Sequence, residues 1–450
     1  MKWAVNAISH FWLPLIITCF FVVVDRYGPA VTHDSLFYMN GAESIRDLGH
    51  FSNEYYGAMQ HDTHYAPGLS ALLASLSFLS KLSVGIMAKS VMYLLLFTNL
   101  LLVLRLCLAH RIDQKSTIGF TVIFGLSFPF LSIHLHIWSE PLYLTLLLVV
   151  ALALKHWFDT NQCSWFFLAV VLLGLSVLVR FAGLFMLPYF GLLILQKRGF
   201  SWKWILPFSF FSLLPFVLWS LRNTLLTQEL SSRTLFWNWS GGYAVLGAFT
   251  TVLFWSGLSF VVLSLVVSQL MQRKKLLLQI WPQLVGALVY VAFLLLAKSS
   301  VDPMIPLDSR LLSPLLVPMI SSIFILWDGM IKSWMKVTFF VALLLSSVQL
   351  IRPIQELYQH GWGLNDRRLL EVGIPGQIKT LLPNTAVCYA SGFDVHYFRY
   401  LLKREVKYLP IDQTLPDSSY FLLWLAEPPN SRMLANAEER IPGLLWVTNP

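Results

Sequence analysis

What constrains this chain most is a succession of apolar runs, each about as long as a bilayer is thick, separated by short polar connections. A hydrocarbon core of about 30 Å offers no partner to a backbone amide, so a crossing helix needs roughly 20 predominantly apolar residues. Such runs cover residues 8–24, 86–108, 117–137, 141–157, 164–180, 181–196, 204–221, 243–270, 280–297, 311–327 and 333–351. They predict an α-helical polytopic membrane protein with about eleven transmembrane helices. A mean hydropathy of +0.65 with only 12% charged residues excludes a soluble globule. The net charge of +9 sits in short clusters between the runs, so it reads as topology and not as a nucleic-acid-binding face.

Alternating sides gather Lys2, Arg105, Arg111, Lys115, Lys155, Lys197, Arg198, Lys203, Arg273, Lys274, Lys275, Lys332 and Lys336 on one face, as the positive-inside rule asks of the cytoplasm. The carboxylates Asp25, Asp34, Glu43, Asp47, Glu54, Asp62, Glu140, Glu229, Asp302 and Asp308 collect on the other. Pro67–Leu82 is apolar but short, and as a span it would reverse every later cluster, so a helix in the interface is expected there. The N-terminal run exceeds a signal-peptide core and lacks a small-residue cleavage site, which predicts an uncleaved first helix. Trp138, Tyr143, Trp157, Trp202, Trp219, Trp327 and Trp334 near run ends read as interfacial anchors. Four scattered cysteines suggest neither a disulfide framework nor a metal cluster. The expected home is a bacterial inner (plasma) membrane, given the modest size and the lack of any long lumenal insertion.

The expected organisation is a transmembrane domain at 1–351, with a first outer loop at 25–85, and a small extracytoplasmic α/β domain at 352–450. From Arg352 charges become frequent and no run is long enough to span. TAVCYAS, VKYLPI, SYFLLWLA and GLLWVTN read as strands and DVHYFRYLLKRE as a helix. A structural or acceptor-docking role is expected of this segment.

Chemistry concentrates in the polar stretch His33–Gly68. Asp34 follows the first membrane exit and shares a helical face with Tyr38. A carboxylate partly desolvated there has its pKa raised toward the range of a general base; equally, Asp34 is a good N-cap. In HDTHYAPG, His61, Asp62, His64 and Tyr65 suit a polar or anionic substrate better than a metal, although metal use stays open. His134, His136 and Glu140 surround an outer turn, where Glu140 before Pro141 is either a first-turn cap or the partner of Asp34 across a cavity. Arg180, Arg222, Lys298 and Arg310 end or bracket spans on the outer side. Singly each reads as a snorkelling anchor, jointly they read as an anion site.

Taken in order, Asp34 with the Ala42–Gly49 tail, Tyr65-Ala66-Pro67-Gly68, Ser139-Glu140-Pro141, Arg180-Phe181-Ala182-Gly183 and Asp308-Ser309-Arg310-Leu311 with Pro314 and Pro318 form a pattern. Across residues 8–350 it resembles the GT-C superfamily of multi-spanning glycosyltransferases, in style nearest the bacterial relatives of protein mannosyltransferases and of the lipid A aminoarabinose transferase. The resemblance implies transfer of a sugar from a polyprenyl-phosphate donor to a protein, lipid or glycan acceptor on the extracytoplasmic face. It further implies Asp34 as base or acceptor-positioning carboxylate, Glu140 as the second acid, and Arg180 or Arg310 at the lipid phosphate. His33-Asp34-Ser35 stands where many relatives carry two neighbouring acids, a departure that counts against metal use, and since members of the superfamily differ on it a divalent metal stays an open cofactor. The competing class is a transporter or flippase of a lipid-linked or anionic solute. Such proteins carry paired polar or broken helices at mid-bilayer and a detectable internal repeat, whereas here the ionisable residues collect at span ends and no clear repeat shows. A polymerase or ligase would lean on arginines in a large late outer loop, whereas the longest loop here is the first and is acidic. No Rossmann glycines or P-loop occur.

Overall fold

The computed structural model describes residues 2–25, 28–55, 58–228, 276–300, 309–326 and 332–359. Toward the chain end it describes mainly 387–390, 405–409, 419–424, 437–441 and 444–449, and the single positions 261, 395, 398, 399 and 402 besides. The chain is a multi-pass membrane protein. Among the described residues Val84–Ala109, Glu140–Thr160, Trp202–Thr227 and Ile280–Ala297 are long and apolar enough to cross a bilayer. Shorter apolar helices run over Phe11–Val24, Cys163–Val179, Arg310–Leu326 and Phe340–Ile351. The expected run 243–270 lies outside the described residues.

The first helices are α1 (Lys2–Val24), α2 (His33–Leu48), α3 (Gly68–Ser80) and α4 (Val84–Ala109). They continue with α5 (Gln114–Gly125), α6 (Phe128–His134), α7 (Glu140–Thr160), α8 (Cys163–Val179), α9 (Leu187–Arg198) and α10 (Trp202–Thr227). After the undescribed stretch come α11 (Leu276–Ser300), α12 (Ser309–Leu312), α13 (Leu316–Leu326) and α14 (Lys332–Gln359). In the membrane layer α7 packs against both α4 and α8, α8 against α10, and α11 against α9 and α13. One apolar core joins them, with Trp157, Phe124, Phe166 and Phe190 fully enclosed.

Three expected spans are interrupted, one of them, 311–327, by a 3₁₀ turn at Ser313–Leu315 between α12 and α13. The run 117–137 divides into α5 and α6 at a 59° bend. Ser127 stops the first helix in extended backbone and Pro129 opens the second, where its missing N–H costs nothing. The run 181–196 is a 3₁₀ helix, Phe181–Met186, followed by α9. The break starts at Arg180, whose φ of −149° leaves the helix, and Pro188 begins the next one.

The first long polar loop carries regular structure in its described residues. Thr32 caps α2 with a reciprocal box: Thr32 Oγ1 accepts from the Ser35 amide at 3.4 Å, and Ser35 Oγ accepts from the Thr32 amide at 2.9 Å. Gly49, at φ +76°, ends α2 in the left-handed conformation that glycine adopts without strain. A hairpin follows, β1 (Ser52–Tyr55) antiparallel to β2 (Ala58–His61), and was not expected. The helix expected at 67–82 is α3, which lies along α2. Its first residue, Gly68, abuts the end of α8: a methyl there would stand 2.7 Å from Val179 Cγ2 and 2.8 Å from the Leu178 carbonyl oxygen. Gly68→Ala is therefore expected to lower stability by about 1–3 kcal/mol, because backbone cannot yield as a flexible side chain does. Thermal unfolding of the detergent-purified protein tests this; an unchanged midpoint would contradict it.

Beyond α14 lie β3 (Val387–Ala390), β4 (Val406–Tyr408), β5 (Ser419–Trp424), β6 (Ala437–Ile441) and β7 (Leu444–Asn449) in one sheet of order β4-β3-β5-β7-β6. β3 is parallel to β4 and β5, whereas β7 is antiparallel to both β5 and β6. Four of these strands are the expected ones; β6, reading AEERI, carries too little apolar pattern to be foreseen. Cys388, Ala390, Phe398, Val406 and Leu422 share an apolar core with Leu36, Tyr38, Leu69, Leu73 and Met92 of α2, α3 and α4. Arg399 adds an ion pair to Glu54 of the hairpin, its Nη2 donating to Oε1 at 3.2 Å.

Candidate active site

The capping box hands the helix start to Thr32, so the capping reading of Asp34 is overturned and its carboxylate turns elsewhere. Oδ2 lies 2.5 Å from Arg310 Nη1, and Oδ1 accepts a hydrogen bond from Tyr65 Oη at 2.9 Å. Arg310 opens toward a second acid, with Nε 3.2 Å from Glu140 Oε1. The same Oε1 lies 2.5 Å from Arg180 Nη1. Asp34, Arg310, Glu140 and Arg180 thus form a chain of alternating charge that sums to zero. It is drawn from the starts of α2, α12 and α7 and the end of α8. Burial explains why the chain is continuous. Glu140 is 1% exposed, and a carboxylate so enclosed persists only beside cations.

Around this chain the polar groups interlock. Arg180 Nη1 also donates to Ser139 Oγ at 3.3 Å, and Ser139 Oγ pairs with Tyr38 Oη at 3.0 Å. Burial, then the charges of Asp34 and Glu140, push the Tyr38 phenol up to about 12. Tyr65 is raised for the same first reason, so both phenols remain donors. For Asp34, burial acts upward, but the neighbouring Arg310, the Tyr65 hydrogen bond and the more distant Arg180 outweigh it and hold the carboxyl below its ordinary value. The raised pKa expected from desolvation alone is corrected by these partners.

The remaining candidates divide. His61 pairs with Ser52 Oγ at 3.3 Å within the hairpin. Asp62 is buried and holds the turn, accepting from the amides of His64 at 2.7 Å and Tyr65 at 3.0 Å and from Asn53 Nδ2 at 2.5 Å. His64 packs its ring against Tyr65 at 5.0 Å. Arg222 is not brought to the charged chain. It donates to the carbonyls of Asp62 at 3.0 Å and Phe51 at 3.1 Å and stacks on Trp219, pinning the hairpin to the end of α10. Arg222→Ala is expected to cost about 2 kcal/mol of stability from those charged hydrogen bonds. Thermal unfolding of the detergent-purified variant tests this, and an unchanged midpoint would contradict the clasp. The Lys298 side chain lies outside the described residues. His134 is enclosed and tied to Asn99 Nδ2 at 2.8 Å, so it stands apart from the acids. Among the described residues no three His, Cys, Asp or Glu side chains gather as a metal set.

Sequence reasoning missed Thr32 and misplaced three aromatics. Trp138, Tyr143 and Trp157 are enclosed in the protein and are not interfacial anchors, whereas Trp202 is 61% exposed and fits that role. Trp327 and the Trp334 side chain lie outside the described residues. A cavity of 510 Å³ lies along α2 beside Asn40, Glu43, Asp47 and Glu54. By helical periodicity that is the face turned away from Asp34.

No protein-family model matches the chain, and no curated protein sequence does. Solved structures do. ArnT from Cupriavidus metallidurans, bound to undecaprenyl phosphate, superposes with TM-score 0.59 over 99% of both chains at 14% identity. The arabinofuranosyltransferase AftD from Mycobacteria superposes with TM-score 0.52 at 13% identity, over 91% of this chain and 32% of its own. These two likenesses give the chain the fold of ArnT, shared in part with AftD.

Proposed function

We propose that this protein transfers a sugar from a polyprenyl-phosphate donor to a hydroxyl of an acceptor on the extracytoplasmic face of a bacterial inner membrane. The observation that carries the reading is the buried chain Asp34–Arg310–Glu140–Arg180, built where helices of an ArnT-like fold end. The donor's lipid keeps its phosphate at the membrane surface, while the acceptor comes from water. Asp34 takes the proton of the acceptor hydroxyl as that oxygen bonds to the anomeric carbon. The carbon–oxygen bond to phosphate breaks, and its electron pair leaves on the polyprenyl phosphate, which Arg310 and Arg180 stabilise. A single displacement inverts the anomeric centre. Glu140 keeps both guanidinium groups in place, and Tyr65 orients Asp34.

Arg310 is committed to Asp34, which lowers the basicity of that carboxylate. An arriving phosphate competes for the same fork, so donor binding frees the base before the acceptor reacts. The segment from 352 onward is proposed as a cover for the outer loop, supported by the Arg399–Glu54 pair and the shared apolar core.

The test is transfer in proteoliposomes supplied with radiolabelled polyprenyl-phosphate sugars and a cell-envelope extract. Label appearing in acceptor with release of polyprenyl phosphate supports the reading. Donor left unconsumed under every metal condition, while labelled lipid changes leaflet, would replace it with transport.

A further inference from the structure

Trp138 lies under the Arg310 guanidinium, with Cζ 4.9 Å from the ring centroid. Its other contacts are equally directed. The His136 ring stacks parallel to it, 3.9 Å away with 6° between planes, and is itself fixed by its Nδ1–H donating to the Ser132 carbonyl at 2.7 Å. Trp138 Nε1 donates to Thr32 Oγ1 at 2.8 Å, the atom that caps α2 two residues before Asp34. The strand-like contact of Ala30 with the backbone at Leu135 and Ile137 ties the segment carrying the ring to the segment carrying the cap. One indole therefore touches Arg310 through its face and the helix start of Asp34 through its edge. Such a face attracts a cation without using its N–H donors, which leaves the guanidinium edge for carboxylate or phosphate.

We propose that Trp138, backed by His136, is a positioning residue of the transfer site: a platform that sets where Arg310 meets Asp34 and, later, the donor phosphate. The inference rests on the proposed transfer reaction for its kinetic consequence, but its geometric content can be measured without turnover. The groups facing Asp34 are Arg310 from α12, Tyr65 from the turn before α3, Arg180 at the end of α8, Glu140 at the start of α7 and Tyr38 on its own helix. Of these Arg310 supplies the strongest attraction. A loosened Arg310 therefore leaves burial to dominate, and the Asp34 carboxyl titrates at higher pH.

The experiment compares wild type with Trp138→Leu and Trp138→Phe. Protonation of Asp34 is followed by carboxyl infrared absorption, with Asp34→Asn as the blank. Trp138→Leu is expected to move the titration upward and to reduce kcat/KM for the donor at least about tenfold, as loss of a cation–π contact and a hydrogen bond would. The acid limb of its kcat/KM profile moves to higher pH with the titration. Trp138→Phe keeps the face and loses only the edge contact, so it should retain most of the wild-type titration. A folded Trp138→Leu protein with wild-type titration overturns the proposal, and so does a Phe variant as perturbed as the Leu variant. If wild type transfers no sugar from any donor, the transfer reading fails, while the infrared comparison still decides the platform.

Discussion

Asp34→Asn is expected to lower kcat for sugar transfer by about a hundred- to ten-thousandfold, the usual worth of a positioned general base. The substitution keeps the shape of the side chain and its place after the Thr32 cap, so insertion and thermal unfolding should stay near wild type. It also removes one negative charge from a chain whose charges sum to zero. Arg310 then has a weaker competitor for its fork, and KM for the donor should fall or hold while kcat collapses. That split separates loss of a base from loss of a binding site. An unchanged kcat would remove Asp34 from the chemistry.

The largest effect on stability should come from Arg180→Met. Glu140 is almost wholly enclosed and would share the one remaining cation, Arg310, with Asp34, and removing one partner of a buried pair costs about 3–5 kcal/mol. Adding Glu140→Gln removes the excess charge. The double variant should recover a large part of the loss in stability and none of the transfer activity. Denaturant titration in mixed micelles, read as a double-mutant cycle, measures the coupling. If Arg180→Met is as stable as wild type, the two side chains are not an obligatory pair.

Much of this was legible in the sequence because the bilayer fixes the length of what can cross it. The first outer loop announced itself as the one long polar insertion, and with it Asp34. Glu140 was legible through its place before Pro141. Length and polarity are silent, however, about which way a chain bends. The hairpin of β1 and β2 returns to the end of α10, and only that return brings Arg222 to the backbone carbonyls of Asp62 and Phe51. Arg180 and Arg222 look alike on paper, since each closes an apolar run. What separates them is Glu140, brought beside Arg180 by the packing of α7 on α8. Cap identity failed for a local reason: Thr32, Asp34 and Ser35 are all capping residue types, and periodicity does not choose among them. Trp138 was read as an interfacial anchor because a tryptophan near a run end usually is one, and its cation lies 172 residues along the chain at Arg310.

The distance along the chain between partners has a consequence for how the protein is made. Asp34 and the helix bearing it leave the ribosome early, and Arg310 follows only after most of the membrane layer. The apolar cover of α2 and α3, from Cys388, Phe398 and Leu422, comes later still. Domains tend to form as units as synthesis proceeds from the N-terminus. Here the first polar segment waits for Arg310 to pair its carboxylate, and for the later strands to cover its apolar side. A nascent chain stalled before Arg310 would hold both acids of the charged chain and neither the cation that restrains Asp34 nor the strands that shield its helix, so that chain of charges closes only once Arg310 has been made.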